Sequence, residues 1–334
     1  MATIVGQGEY RYEVVEGWEQ LPNGWSHGDV AGVATDSQDR AYVFNRSEHP
    51  IIIYDRDGTY LDTWGDTTLY PRAHGITIVN DEVYLVDAAD QTVRKCTLDG
   101  KVLWTLGTPG QVSNTGYQAK APSNLTTIAR AAGPFNVPTR AAVAPNGEVY
   151  VSDGYGNARV HRYSADGELL QSWGEPGTGP GQFNLVHSVW VHTDGRVFIC
   201  DRENDRVQIF SPTGDLLTIW DHVTRPGDLF ISTDGTVYIG EMGWEKGTTN
   251  MAGKTLTEDR PSRLTVRDIE GNILSTWGGK DPCALDGFSA PHGMWVDSRG
   301  DIYVGEVTKT ALSAFFKFTT WNENCHSLIK FARI

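Results

Sequence analysis

Basic residues are scarce in this sequence. Lys and Arg number 28 against 42 Asp and Glu, a formal net charge of -14. Such a balance repels phosphate backbones and anionic bilayers, which argues against nucleic acid and membrane as partners. Long apolar runs are missing too, and nothing approaches the roughly 18 consecutive residues needed to cross a bilayer. The first nine residues, Met1 to Glu9, lack a basic flank followed by an apolar stretch, so no signal peptide is visible. Cysteine is sparse: Cys96, Cys200, Cys283 and Cys325 form no CxxC pair and no regular spacing, which points to a reducing, cytoplasmic setting. Helical periodicity is absent as well, and glycine and proline punctuate short strands instead. With 334 residues, 39% of them hydrophobic, the chain can bury a sizeable core without disulfides or structural metals.

What the chain has is repetition. A turn glycine followed six positions later by an apolar residue recurs as Gly58–Trp64, Gly100–Leu106, Gly167–Trp173, Gly214–Trp220 and Gly271–Trp277. Acidic residues precede several of these glycines, as in Asp57-Gly58, Asp99-Gly100 and Asp166-Gly167, which is hairpin chemistry. Upstream of each turn lies a short β-branched and aromatic strand, beginning at Ala41, Val83, Val149, Val197, Val237 and Ile302. Six such copies predict an all-β fold, a six-bladed β-propeller, which disposes of sheet edges by radial closure. The last copy ends one strand short after Phe331, and the N-terminal stretch Tyr12 to Trp18 is expected to supply the missing strand. One domain spanning 1–334 is expected, with blades near 27–69, 70–108, 134–177, 181–221, 222–280 and 286–334 plus 10–21. The polar insertions from Thr108 to Pro134 and from Met242 to Pro261 read as loops on one face, where specificity is set. An aromatic segment with Phe315, Phe316, Phe318 and Trp321 is expected to pack under a loop.

Alignment of the copies on the aromatic strand residue exposes a second regularity. His187 lies eleven positions before Phe198, His292 eleven before Tyr303, and His74 ten before Tyr84. The same register holds Ala31, Thr139 and Gly227 in the other copies. A single channel histidine is usually a hydrogen-bonded core residue. Here three of the nine histidines share one register in strict alternation, so three imidazoles should converge on the axis with three-fold geometry. Three neutral imidazoles with a coordination position left open are the ligand set of a catalytic zinc site, and other divalent metals also accept imidazole.

Each copy also places a turn residue near the mouth of the channel: Asn45, Asp87, Asp153, Asp201, Glu241 and Glu306. Most read as ties between neighbouring strands, with Arg159 and Arg206 as partners of Asp153 and Asp201. Glu241 and Glu306 stay open as substrate-binding groups or bases if turned inward. Arg46 and Arg202 follow the turn position in opposite blades, and Tyr155 stands two beyond Asp153. An arginine beside a tyrosine favours the phenolate and makes it a usable base. An arginine is equally the bidentate partner of a substrate carboxylate.

These residues resemble a known family. Gly32-Val33-Ala34 with Phe44-Asn45-Arg46, His74-Gly75-Ile76, Ser152-Asp153-Gly154-Tyr155-Gly156-Asn157, Gly181-Gln182-Phe183 to His187-Ser188, Asp201-Arg202-Glu203-Asn204 and Pro291-His292 follow in order. Together they are similar to the NHL-repeat propeller of the peptidyl-α-hydroxyglycine α-amidating lyases. The resemblance implies zinc on His74, His187 and His292, Tyr155 as general base, and Arg46 and Arg202 beside it. It implies cleavage of a carbinolamide to an amide and glyoxylate, with Arg202 for the substrate carboxylate and Arg46 for Tyr155, roles the two could exchange. The family's calcium would use the backbone of Val33 and Ile76, but Gly293 stands where its aspartate ligand belongs. Gly156 likewise cannot form the disulfide of the secreted enzymes.

Two other function classes compete. A hydrolase or hydratase would use the same metal to activate water. A non-enzymatic NHL interaction module would have no use for alternating channel histidines. The expected partner is a small-molecule carboxylate, and the expected state a monomer or small homo-oligomer.

Overall fold

The protein was described from a computed structural model covering residues 2–314 and 325–334. Six antiparallel sheets surround a central channel. The innermost strands of blades one to six are Val30–Thr35, Ala73–Val79, Pro138–Val143, Val186–Val191, Pro226–Ile231 and Pro291–Val296. Each pairs with the β-branched and aromatic strand identified in the sequence, as in Val149–Asp153 and Val197–Asp201. Blades one to five each add two more antiparallel strands, and in blade five the second insertion runs between Val237–Glu241 and Arg263–Arg267. In blade six the third strand, Leu328–Arg333, pairs with the N-terminal strand Tyr10–Val15, and Ile4–Gln7 adds a fifth. The N-terminus therefore fastens the ring, through a strand that begins two residues before the expected Tyr12.

The repeated glycine and its apolar partner act between blades. All five turn glycines have φ between 82° and 95°, a region an L side chain rarely adopts. A Cβ on Gly100 would meet Trp64, on Gly214 it would meet Trp173, and on Gly271 it would meet Trp220. So the tryptophan ending one blade's outer strand covers the hairpin turn of the next. The spacing legible within one repeat is a contact between two.

The two insertions meet. Leu125 Nα–H donates to the Met251 carbonyl at 3.1 Å, and Leu125, Ile128 and Leu185 pack with Tyr117, Tyr155 and Met251. A short helix, Thr308–Ala314, follows the second strand of blade six. The aromatic segment at Phe315, Phe316, Phe318 and Trp321 lies outside the described residues. Cys283 and Cys325 form a disulfide, which counts against the reducing setting expected from the cysteine spacing. Their 42-residue separation carries no motif, so only the folded chain of blade six brings them together. Cys96 and Cys200 are free and buried. Among the described residues, no helix is long and apolar enough to cross a membrane.

Candidate metal centre

The inner strands explain how three histidines leave their ladders. In every blade the pairing of the innermost strand shifts at the same place, for example between Val186 and Ser188 and between Pro291 and Gly293. The residue skipped by the ladder is the register residue: Ala31, Thr139, His187, Gly227 and His292, with His74 and Gly75 both skipped in blade two. Such a bulge re-aims a side chain that the pleat would otherwise fix. Here it turns the imidazoles toward the axis.

Neighbouring blades fix the orientation of each imidazole. His74 Nδ1 pairs with the Thr139 carbonyl at 2.7 Å, His292 Nδ1 with the Ala31 carbonyl at 2.8 Å, and His187 Nδ1 with the Gly227 carbonyl. Each acceptor is the register residue of the following blade. A carbonyl accepts only, so each Nδ1 carries the proton and each Nε2 keeps its lone pair for the axis. Each histidine is thus oriented by the backbone of the blade that follows it.

The three rings lie with centroids 4.5 to 5.0 Å apart, and their candidate ligand atoms all fall within 4.8 Å of one another. All three are buried. Burial pushes their pKa values well below the usual imidazole range, and the charge of Arg46 or Arg202 pushes the same way. The cluster is neutral at physiological pH, as metal ligation demands. His74 Nε2 is buried with no hydrogen-bond partner. An orphaned acceptor aimed at two others is costly unless something binds it. These residues fit a divalent transition metal.

Above the histidines opens a cavity of about 310 Å³. Tyr155, Arg46, Arg202 and His292 line it, so the structure brings these expected site residues together. The Tyr155 hydroxyl lies 3.1 Å from His187 Nε2 and accepts from Arg202 Nη1 at 3.2 Å. Arg202 rather than Arg46 is therefore the direct partner of Tyr155. Arg46 donates to the Ala73 carbonyl at 3.1 Å and to Asp29 at 3.3 Å.

Glu241 and Glu306 are placed elsewhere. Glu241 binds Arg263, Arg267, Thr265 and the Thr224 backbone N–H. Glu306 accepts from the Ser289 and Ala290 backbone N–H groups and pairs with His326. Both carboxylates tie their own blades and neither lines the cavity, so neither is a substrate-binding group or base. The same tie holds Asp201 to Arg206 at 2.7 Å, and burial there raises the Asp201 carboxyl to about 6. Asp153, in contrast, takes His161 at 3.2 Å, while Arg159 reaches Glu175 instead.

Calcium does not fit. A Cβ on Gly293 would come within 2.5 Å of the Gly32 Cα, so the aspartate of the family has no room beside Val33 and Ile76. Of the six residues just past the register, Gly32, Gly75, Arg140, Ser188, Asp228 and Gly293, only Asp228 is acidic. Its carboxylate is taken by Arg140 Nη1, by Ser188 and by the Met294 N–H.

Comparison with known proteins agrees with the repeat and the fold. The NHL repeat family model matches residues 135–163. Human "NHL repeat-containing protein 3" is 33% identical over 69% of this chain and 66% of its own length. Drosophila melanogaster "Peptidyl-alpha-hydroxyglycine alpha-amidating lyase 1" is 30% identical over 75% of this chain and 46% of its own. This is an NHL-type propeller that resembles the amidating lyases. The chain spans about two thirds of the human relative's length and under half of the fly relative's. Virginiamycin B lyase from Staphylococcus aureus superposes with a TM-score of 0.59 at 13% identity, over 97% of this chain and all of that one, which shows the shared fold.

Residues missed by sequence reasoning include Arg72, Tyr117, Met242 and Met251, all lining the cavity. Tyr117, Met242 and Met251 come from insertions that repeat alignment cannot place. Arg72 was within reach, because it stands two positions before His74 in the aligned register.

Proposed function

We propose that the protein is a metal-dependent lyase that cleaves the C–N bond of a carbinolamide, an N-acyl-α-hydroxyglycine, into an amide and glyoxylate. The observation that carries the reading is the Tyr155 hydroxyl, held by Arg202 within hydrogen-bonding distance of His187 Nε2 at the edge of the three-imidazole cluster. His74, His187 and His292 would hold the metal, zinc by the chemistry of its donors. When bound, a divalent ion supplies Lewis acidity that lowers the pKa of a substrate hydroxyl. Tyr155 takes the hydroxyl proton, C=O forms as C–N breaks, and Tyr155 returns that proton to the departing amide nitrogen, which restores the phenolate for the next turnover. Arg202 fixes the phenolic oxygen by donating to it from Nη1. Buried and already hydrogen-bonded, it acts on Tyr155 rather than on the substrate carboxylate.

The whole propeller, 1–334, is taken as the catalytic unit, working on a small carboxylate without nucleic acid or membrane partners. The cytoplasmic setting rests in part on unpaired cysteines, and the Cys283–Cys325 bridge removes that support.

The test is glyoxylate release from an N-acyl-α-hydroxyglycine in ¹⁸O-labelled water. Release with no label in the glyoxylate aldehyde oxygen, before slow exchange, is expected. Label present at the moment of release would move the assignment to a hydrolase using activated water. No release by the metal-loaded protein would end the lyase reading.

A further inference from the structure

The position two residues before the channel register carries charge in three blades: Asp29, Arg72 and Arg225. In the other three it is Val137, Leu185 and Ala290. Two of the three charges are neutralised by the protein itself. Asp29 pairs with Arg46 at 3.3 Å. Arg225 pairs with Glu203 at 2.8 Å, and the same carboxylate holds Arg202 at 2.9 Å.

Arg72 is different. Its backbone N–H caps Asp87 at 2.8 Å, which anchors the residue. Its side chain is exposed and lines the cavity over His292 and Tyr155, and its guanidinium has no hydrogen bond or ion pair among the described residues. Its charge is felt across the cavity. Burial lowers the pKa of Arg46, and the Arg72 charge adds to that effect. Arg46, Arg72 and Arg202 line the cavity and no carboxylate of the described residues does, in a chain of net charge -14. A local positive field of this kind gathers anions.

We infer that Arg72 receives the substrate carboxylate, while Arg46 and Arg202, already committed to protein partners, position the site around it. The inference rests on the lyase reading and deepens it, because an N-acyl-α-hydroxyglycine brings one carboxylate and Arg72 is the one uncommitted guanidinium of the cavity-lining arginines. The planar fork of arginine matches a carboxylate with two parallel hydrogen bonds. Lysine can supply the charge but not the fork.

The experiment compares an N-acyl-α-hydroxyglycine with the analogue in which a primary amide replaces the carboxylate. The first would release glyoxylate and the second its amide. In Arg72→Met, kcat/KM for the carboxylate substrate should fall at least about tenfold, through KM, while metal content and kcat/KM for the amide analogue stay within twofold. Arg72→Lys should recover part of the loss. Arg202→Met should depress kcat for both substrates alike, since Arg202 acts on Tyr155. Equal turnover of the carboxylate substrate by wild type and Arg72→Met would overturn the inference and leave the lyase reading standing. A wild type that cleaves neither substrate would overturn both.

Discussion

Two adjacent levels of the central channel solve opposite problems. At the upper level three neutral imidazoles converge, and His74 Nε2 has no hydrogen-bond partner. One residue past the register on the inner strands of blades three and five, Arg140 meets Asp228, and the carboxylate also accepts from Ser188 and from the Leu229 and Met294 N–H groups. Both levels are buried and both are polar. Burial raises the pKa of Asp228 while it depresses those of the histidines, each shift disfavouring a charge that water no longer solvates. At the lower level Arg140, Ser188 and the backbone satisfy the Asp228 carboxylate from within the protein, although Arg140 Nε and Nη2 have no hydrogen-bond partner among the described residues. The upper level leaves His74 Nε2 unanswered by the protein, while His187 Nε2 meets the Tyr155 hydroxyl, and a ligand between the rings would satisfy the orphaned acceptor. The comparison separates the two clusters by what is left over, guanidinium donors at the lower level and an imidazole acceptor suited to a metal at the upper.

Perturbing each level should produce a different loss. Tyr155→Phe removes the proton acceptor above the histidines and should lower kcat by about 10²-fold or more with metal retained. Full activity in that variant, measured by glyoxylate release, would take Tyr155 out of the mechanism. At the lower level, Asp228→Asn strands the buried Arg140 charge. A loss of roughly 3–5 kcal/mol is expected from urea unfolding, with metal stoichiometry preserved. A variant that lost its metal without losing stability would reverse the division of labour.

His27 offers a buried imidazole away from the channel. It pairs with Tyr54 at 2.9 Å, and burial pulls its pKa down to about 4. A folded pKa below the unfolded value contributes stability that is present above about pH 6.5 and lost as pH falls toward 4. His27→Gln should therefore flatten that part of the stability profile, by on the order of 1–3 kcal/mol. An unchanged slope would show that His27 is already solvated. The smallest expected effect is that of a calcium chelator. With Gly293 packed on Gly32 and Asp228 occupied, EGTA should leave Tm unchanged, and a marked drop would reveal a calcium ion.

The fold was legible because a propeller repeats its grammar. Six β-branched strands and five turn glycines sufficed for blade number, although the glycine–tryptophan pairing proved to be a contact between neighbouring blades. The histidines were legible for the same reason, since a bulge at one register places its residue on the axis in every blade. Register could not say which guanidinium was already engaged. Arg202 and Arg46 look alike in the sequence, and only their contacts with Tyr155 and Asp29 set them apart. Glu241 and Glu306 misled because their partners, Arg263 and His326, lie some twenty residues away beyond irregular segments. The Cys283–Cys325 bridge was hidden for the same reason.

The most direct test of the central claim is elemental analysis of the purified protein beside His187→Ala. The account predicts about one transition-metal ion per chain, zinc by its donor set, and its loss in the variant while the fold is kept. A wild type free of transition metal under conditions that preserve zinc proteins would contradict it, and the three histidines would then be channel packing.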